Sequence, residues 1–195
     1  MSTAAITSSI ERGLMDPRNY SKSETLKDGT AVTVRSIRAK DSNSVLEAFK
    51  GMDKESVHRR FFSPKKELSP AELKQLTDVD FSKVIALVVT IQSPKGELLV
   101  GGGRYALEER RSTHAEIAFV TSGDYRGLGI ASLILKHLAL IARKAGISQF
   151  DAEVLAANQP MLAVFRRSGL PMNVVRDGGT LHVTLSLHAE LESQH

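Results

Sequence analysis

Two stretches of the chain carry residue types and spacings suited to chemistry. The first is Tyr125-Arg126-Gly127-Leu128-Gly129-Ile130-Ala131, which lies between a predicted strand and a predicted helix. A helix N-terminus carries unpaired N–H groups and a partial positive charge. Gly127 and Gly129 let the backbone turn tightly and let an anion approach those N–H groups, as in a nest for phosphate or pyrophosphate oxygens. A tight turn without a ligand is the plainer alternative. The second stretch is His114-Ala115-Glu116-Ile117-Ala118-Phe119. Strand alternation puts His114, Glu116 and Ala118 on one face and Ile117 and Phe119 on the other. A carboxylate and an imidazole on one face could move a proton. A solvated strand carboxylate beside a structural histidine is the alternative.

Composition removes other chemistries. The chain has 195 residues and no cysteine, which excludes a disulfide scaffold, a Cys-ligated zinc site, an iron–sulfur cluster and a thiol nucleophile. The six histidines show no H-x-x-x-H spacing, so no metal is expected. The basic pairs Arg59-Arg60, Lys65-Lys66, Arg110-Arg111, Arg143-Lys144 and Arg166-Arg167 are scattered, and only 5% of residues are aromatic, so no nucleic-acid surface is expected. A net charge of +4 suits an anionic ligand without establishing one. The longest apolar run, Val84 to Val89, is too short to span a membrane. The opening MSTAAITSSIERGLMD lacks the pattern of a secretory signal, and the expected location is cytoplasmic.

The elements that must position these residues follow from punctuation and periodicity. Residues 1–25 read as a poorly ordered N-terminal arm, with docking through Tyr20 as the alternative, and residues 26–190 as one domain. Asp28-Gly29 is a turn signal before a strand over 31–37. A helix capped by Asp41 or Ser42 runs to Phe49, and Lys54 to Phe62 reads as a second helical piece. Ser69-Pro70-Ala71-Glu72 is a strong helix start: N-cap serine, proline at the first helical position, glutamate at the third. Strands over 83–91 and 98–106 flank the turn Ser93-Pro94-Lys95-Gly96. Gly101-Gly102-Gly103 inside the second predicts a bulge or the close approach of a neighbour. A third strand over 114–121 completes an antiparallel meander. A helix over 132–145 follows, with Ile134, Leu138, Ile141 and Ala145 as its apolar stripe and Gly146 closing it. A strand over 150–156, a helix from Asn158 or Pro160 to Ser168-Gly169, and a strand over 180–187 complete a sheet that must be mixed.

Two phosphate-binding patterns compete for the glycine turn. As G-x-G-x-x-G/A, Gly127 and Gly129 fit, but Ser132 stands third, and Asp151 or Glu153 would have to imitate the ribose-binding acid. That fingerprint belongs to a parallel β-α-β unit, whereas this turn follows a meander. As R-x-x-G-x-A, with Arg126, Gly129 and Ala131, the segment resembles motif A of the GNAT superfamily of N-acyltransferases. Ala115 to Val120 looks like that family's fourth strand and Phe150 to Leu155 like its fifth. Asn158, Met161, Phe165 and Gly169-Leu170 are similar to its motif B. The resemblance covers Val32 to Leu187. More narrowly, Asp28-Gly29-Thr30, Arg35-x-Ile37-Arg38, the stretch from His58 to Phe62, and Leu76 to Asp80 look like bacterial protein lysine acetyltransferases. Some of those relatives carry a fused nucleotide-binding or acyl-CoA-synthetase-like domain. Too few residues precede Val32 to hold one, so direct nucleotide regulation is not expected.

The resemblance implies an α/β fold of the α+β type: one GNAT-like domain with a mixed, mostly antiparallel sheet, flanked by helices and splayed between strands 4 and 5. It implies acetyl-CoA in that splay. The main chain of Phe119, Val120 and Thr121 would pair with the pantetheine arm. The amides of Arg126, Gly127, Leu128, Gly129, Ile130, Ala131 and Ser132 would hold the pyrophosphate. Asn158 would contact the cosubstrate and Phe165 would pack near the thioester. A glutamate base stands at this A-E-x-A position in the similar lysine acetyltransferases, which points to Glu116. Many relatives carry a tyrosine seven residues after the motif B asparagine; Phe165 stands there and has no proton to give, leaving His114 as a candidate second acid/base. The implied activity is acetyl transfer to an amine by direct attack, a protein lysine first. A small amine acceptor, or a silent acyl-CoA-binding module, is the alternative.

Overall fold

The β-branched run Val84-Ile85-Ala86-Leu87-Val88-Val89 becomes the central strand of the fold. In the computed structural model, which describes residues 16–52, 57, 65–108 and 111–188, the strands are β1 (Ser21–Thr25), β2 (Ala31–Ser36), β3 (Val84–Ser93), β4 (Gly96–Glu108), β5 (Arg111–Thr121), β6 (Gln149–Leu155), β7 (Met172–Asp177) and β8 (Thr180–Ser186). The α-helices are α1 (Ser42–Lys50), α2 (Pro70–Thr77), α3 (Ile130–Lys144) and α4 (Gln159–Arg167). The strands form one sheet in the order β1-β2-β3-β4-β5-β6-β8-β7. Every neighbouring pair is antiparallel except β5 and β6, which run parallel. The expected α/β class with a mixed, mostly antiparallel sheet therefore holds.

Residues 85–90 of β3 are buried without interruption, because both faces of the sheet centre are covered. Ile85, Leu87 and Val89 face the main core with Ile134 and Leu138 of α3, while Ala86 and Val88 face a second cluster with Ile37 and Val79. The α2 start is as predicted: Ser69 Oγ accepts from Glu72 N–H at 3.2 Å and Glu72 Oε2 accepts from Ser69 N–H at 2.9 Å. Gly146 closes α3 in the left-handed region at φ +77°. Ala145 leaves the predicted stripe: it lies beyond the last helical turn and is exposed, and Ala142 is buried in its place.

The triple glycine serves both predicted purposes. Pairing between β3 and β4 slips between Val89 and Thr90, so that Val100 is the extra residue of a bulge. A Cβ on Gly101 would stand 2.5 Å from Ile130 Cγ2, and one on Gly103 would stand 2.6 Å from Ile134 Cγ2. The glycines let α3 lie directly on the sheet.

Two features depart from the sequence reading. Residues 16–25, read as part of a poorly ordered arm, are docked: β1 pairs antiparallel with β2, Tyr20 is buried, and its hydroxyl meets Nδ1 of His137 on α3. Residues 1–15 lie outside the described residues, as does the predicted helix over 54–62 apart from Val57. β7 has no counterpart in the prediction; it is an exposed edge strand with no buried face to impose alternation. The splay falls where it was expected, between the strands read as fourth and fifth, which are β5 and β6 here because β1 precedes them.

Candidate functional site

β5 and β6 begin as partners and then part. Their register runs His114↔Gln149, Ala115↔Phe150 and Glu116↔Asp151, and stops there. Beyond that rung, β5 stays bonded to β4 as far as Thr121, and β6 to β8 as far as Leu155. Each strand is thus held rigidly by its outer neighbour, while the inner edges from Ile117 and from Ala152 face a gap. An unpaired strand edge offers N–H and C=O groups to any extended chain that carries amides.

The gap opens into a cleft of about 690 Å³. Glu116 lies at its base, Phe119, Val120 and Thr121 line one wall, and Val154 and Asn158 lie on the other side. Gly127, Gly129, Ile130, Ala131 and Ser132 close it where α3 begins. Gly127 and Gly129 take φ +78° and +98°, left-handed values that side-chain-bearing residues rarely adopt. No atom lies within 4 Å of where a Gly127 Cβ would stand, so the loop's main chain is open on that side. Among the described residues, the first backbone bond into the helix is Leu133 N–H to Gly129 O at 2.9 Å. The amides before it are those a helix start leaves for an outside acceptor. This donor set, beside Arg126 and Arg167, fits a diphosphate-bearing ligand.

Most of the sequence-predicted residues meet here, with two exceptions. Leu128 is absent from the lining; its side chain packs on the main core. His114 is absent from the lining and sits two rungs deeper than Glu116, its Nδ1 3.5 Å from Asp151 Oδ2. Asn158 caps α4 by accepting from Met161 N–H at 3.3 Å and lines the cleft as well, so the two roles are compatible. Phe165 is buried and meets Phe119 edge to face, with ring centroids 6.1 Å apart. Glu116 is exposed, and its carboxylate has no hydrogen-bond partner among the described residues. The strand, glycine turn, helix and parallel strand do form a β-α-β unit, but the dinucleotide pattern lacks its other parts: Ser132 stands at the third position, Asp151 is 5% exposed and absent from the cleft lining, and Glu153, which lines the cleft, is engaged by His182.

Asp151 anchors a polar network across β6 and β8. It accepts from Gln149 Nε2 at 2.9 and 3.0 Å and from Thr184 Oγ1 at 3.0 Å, and its Oδ1 lies 3.3 Å from His182 Nε2. His182 Nδ1 also meets Glu153 Oε1 at 2.7 Å. The hydrogen bond with Glu153, and then the charge of Asp151, raise the His182 pKa above the usual histidine value. Sequence reasoning missed Lys27, Tyr125 and Arg167 at the cleft. Arg167 belongs to one of the basic pairs noted in the sequence; Lys27 had no signal, because the strand that carries it there was not foreseen.

The model of the acetyltransferase (GNAT) family matches residues 55–170. An acetyltransferase of Pseudomonas aeruginosa is 36% identical over 141 residues, which cover 71% of this chain and 74% of that protein. Acetyltransferase Pat of Mycolicibacterium smegmatis is 33% identical over 117 residues, which cover 59% of this chain; they span 34% of that longer protein. The crystal structure of the GNAT domain of S. lividans PAT superposes with a TM-score of 0.78 at 29% identity, covering 85% of this chain and 96% of that one. A Salmonella typhimurium protein solved with its cofactor acetyl-CoA has the same fold, with a TM-score of 0.65 at 13% identity over 84% of this chain and 98% of that one.

Proposed function

This chain belongs to the acetyltransferase (GNAT) family, and on that premise we propose that it moves the acetyl group of acetyl-CoA to a protein lysine with Glu116 as general base. The observation that carries the reading is the fork itself. β5 and β6 part at the rung that holds Glu116, and the gap they leave leads to the glycine loop.

The bound cosubstrate supplies an acyl thioester whose carbonyl carbon is the electrophile. The unpaired edge at Phe119, Val120 and Thr121 suits its pantetheine amides, and the loop from Arg126 to Ser132 suits its diphosphate. Asn158 and Phe165 bound the remaining wall. The chemical difficulty lies with the acceptor. A lysine of pKa about 10.4 is neutral in only about one molecule in 2,500 at pH 7, a deficit of roughly 4.6 kcal/mol. A base at the fork would remove that proton as the amine attacks, and the exposure of Glu116 within the cleft, with no hydrogen-bond partner among the described residues, supports it in that role. Phe165 cannot return a proton to the leaving sulfur. A thiol of pKa about 8.5 leaves as thiolate with little help, so a strong acid is dispensable.

Support for a lysine acceptor is the resemblance of Arg35-x-Ile37-Arg38 and of Leu76 to Asp80 to protein lysine acetyltransferases. The test pairs acceptor screening with Glu116→Gln. Acetyl-CoA with lysine-bearing proteins and with polyamines, aminoglycosides and amino acids is followed by CoA release and mass spectrometry. Lysine acetylation above small-amine acetylation is expected, and Glu116→Gln should lower the rate by about 10²–10⁴ and flatten its pH profile. An unchanged rate and profile would remove Glu116 from the role; faster acetylation of small amines would replace the acceptor. No CoA release with any acceptor would leave a silent acyl-CoA-binding module.

A further inference from the structure

The β1–β2 hairpin, which the sequence did not announce, ends against the glycine loop. Its turn is closed by Leu26 N–H to Thr30 O at 2.9 Å, Gly29 N–H to Leu26 O at 3.0 Å and Thr30 N–H to Asp28 Oδ1 at 3.0 Å, with Gly29 at φ +87°. From this turn Lys27 N–H donates to Leu128 O at 3.2 Å, so the hairpin is joined to the loop through main chain. The side chain then lies along Gly129. A Cβ on that glycine would stand 3.6 Å from Lys27 Cγ, 3.8 Å from Cδ and 3.5 Å from Cε. Lys27 lines the same cleft as Arg126 and Gly127. Among the described residues its ammonium makes no ion pair.

A long stem laid on a glycine, ending in an unneutralised ammonium beside a cluster of outward amides, is an arrangement for a dense negative charge. We propose that Lys27 is a further ligand of the cosubstrate's diphosphate, and that the N-terminal hairpin completes the anion site the glycine loop begins. This rests on the acetyl-CoA reading above. Gly129 takes a left-handed φ, and the lysine stem lies in ordinary van der Waals range of it. This role for Lys27 gives the buried Tyr20–His137 contact and the Glu24 Oε1 to Lys136 Nζ bond (2.9 Å) a purpose, because they dock β1 along the helix whose N-terminus Lys27 reaches.

The test is calorimetric titration of wild type, Lys27→Met and Lys27→Arg with CoA, 3′-dephospho-CoA and pantetheine. Methionine keeps the length of the stem and removes the charge. The expected result is a roughly tenfold loss of affinity in Lys27→Met for CoA and for dephospho-CoA alike, the scale of one charge-assisted hydrogen bond. Pantetheine binding should not change, Lys27→Arg should recover most of the loss, and the thermal midpoint without ligand should stay as in wild type. Wild-type affinities in Lys27→Met would overturn the proposal and leave the stem as packing. A loss confined to CoA would move Lys27 to the 3′-phosphate and overturn it too, and a loss extending equally to pantetheine would overturn it in favour of a distorted loop. Wild-type protein that binds neither CoA nor dephospho-CoA would overturn the acetyl-CoA reading itself.

Discussion

Glu116 and Asp151 face each other at the last rung that joins β5 to β6. Their environments are opposite. Asp151 is buried and satisfied by Gln149, Thr184 and His182, whereas Glu116 is exposed and has no hydrogen-bond partner among the described residues. One carboxylate pins the fork from its buried side, and the other faces the cleft.

Replacing Asp151 with Ala should therefore loosen the fork from below. Gln149 and Thr184 lose their acceptor, and a buried polar group left unmatched costs about 1–3 kcal/mol. Urea denaturation should show that loss, and turnover should fall although Asp151 does not line the cleft. Wild-type stability would mean that water substitutes for the carboxylate.

Arg35 is a buried cation held by two acids. Its guanidinium donates to Asp41 at 2.8 and 2.9 Å and to Glu97 at 2.9 Å through both Nε and NH2. Arg35→Met strands the Asp41 carboxylate in the core and should cost roughly 3–5 kcal/mol, while adding Asp41→Leu should recover part of it. Thermal denaturation of the two variants decides the matter. The same ion group sets an acid limit. Hydrogen bonding from Arg35 holds the Glu97 carboxyl down to about 2, below its ordinary 4.5. A depressed folded pKa contributes stability above the unfolded value and loses it as pH falls through the folded one. Stability should thus fall between about pH 4.5 and pH 2, and Glu97→Gln should flatten that decline.

Gly103→Ala tests the contact between sheet and helix. The new methyl would meet Ile134 Cγ2 at 2.6 Å and Phe119 Cδ1 at 3.1 Å. Overpacking of this kind costs about 1–3 kcal/mol, and Ile134→Leu, which lacks the offending branch, should recover part of it. Because Gly103 pairs with Phe119 in the cleft wall, ligand affinity should weaken together with stability.

His182 should titrate above the usual histidine value in an NMR experiment, and Glu153→Gln should bring it down. The sign follows from linkage. A raised folded pKa contributes stability that is complete below the unfolded value of about 6.5 and is lost as pH rises through the folded value. His182 is partly exposed, so the effect on global stability should stay under about 1 kcal/mol.

What the sequence alone determined about this protein was local or periodic. The Ser69–Glu72 cap, the Pro94-Lys95 hairpin, the α3 stripe with its Gly146 stop, and the glycine loop joined to a helix are all specified by neighbours within a few residues, so propensity and spacing suffice to find them. The triple glycine likewise announced a bulge and a close approach, though not that Ile130 and Ile134 would be what approached. Three things waited for the tertiary structure. β1 and β7 are edge strands with little buried face, so no alternation marked them. Nothing local marked Arg35 as a buried cation, because its acids lie 6 and 62 residues away. Lys27 reached the glycine loop only because β1 pairs with β2 and turns beside α3. The parting of β5 from β6 was expected from the family resemblance, but its physical cause is tertiary: each strand is held by its outer neighbour, and which inner edge stays unpaired is a property of register across the whole sheet, not of any short segment.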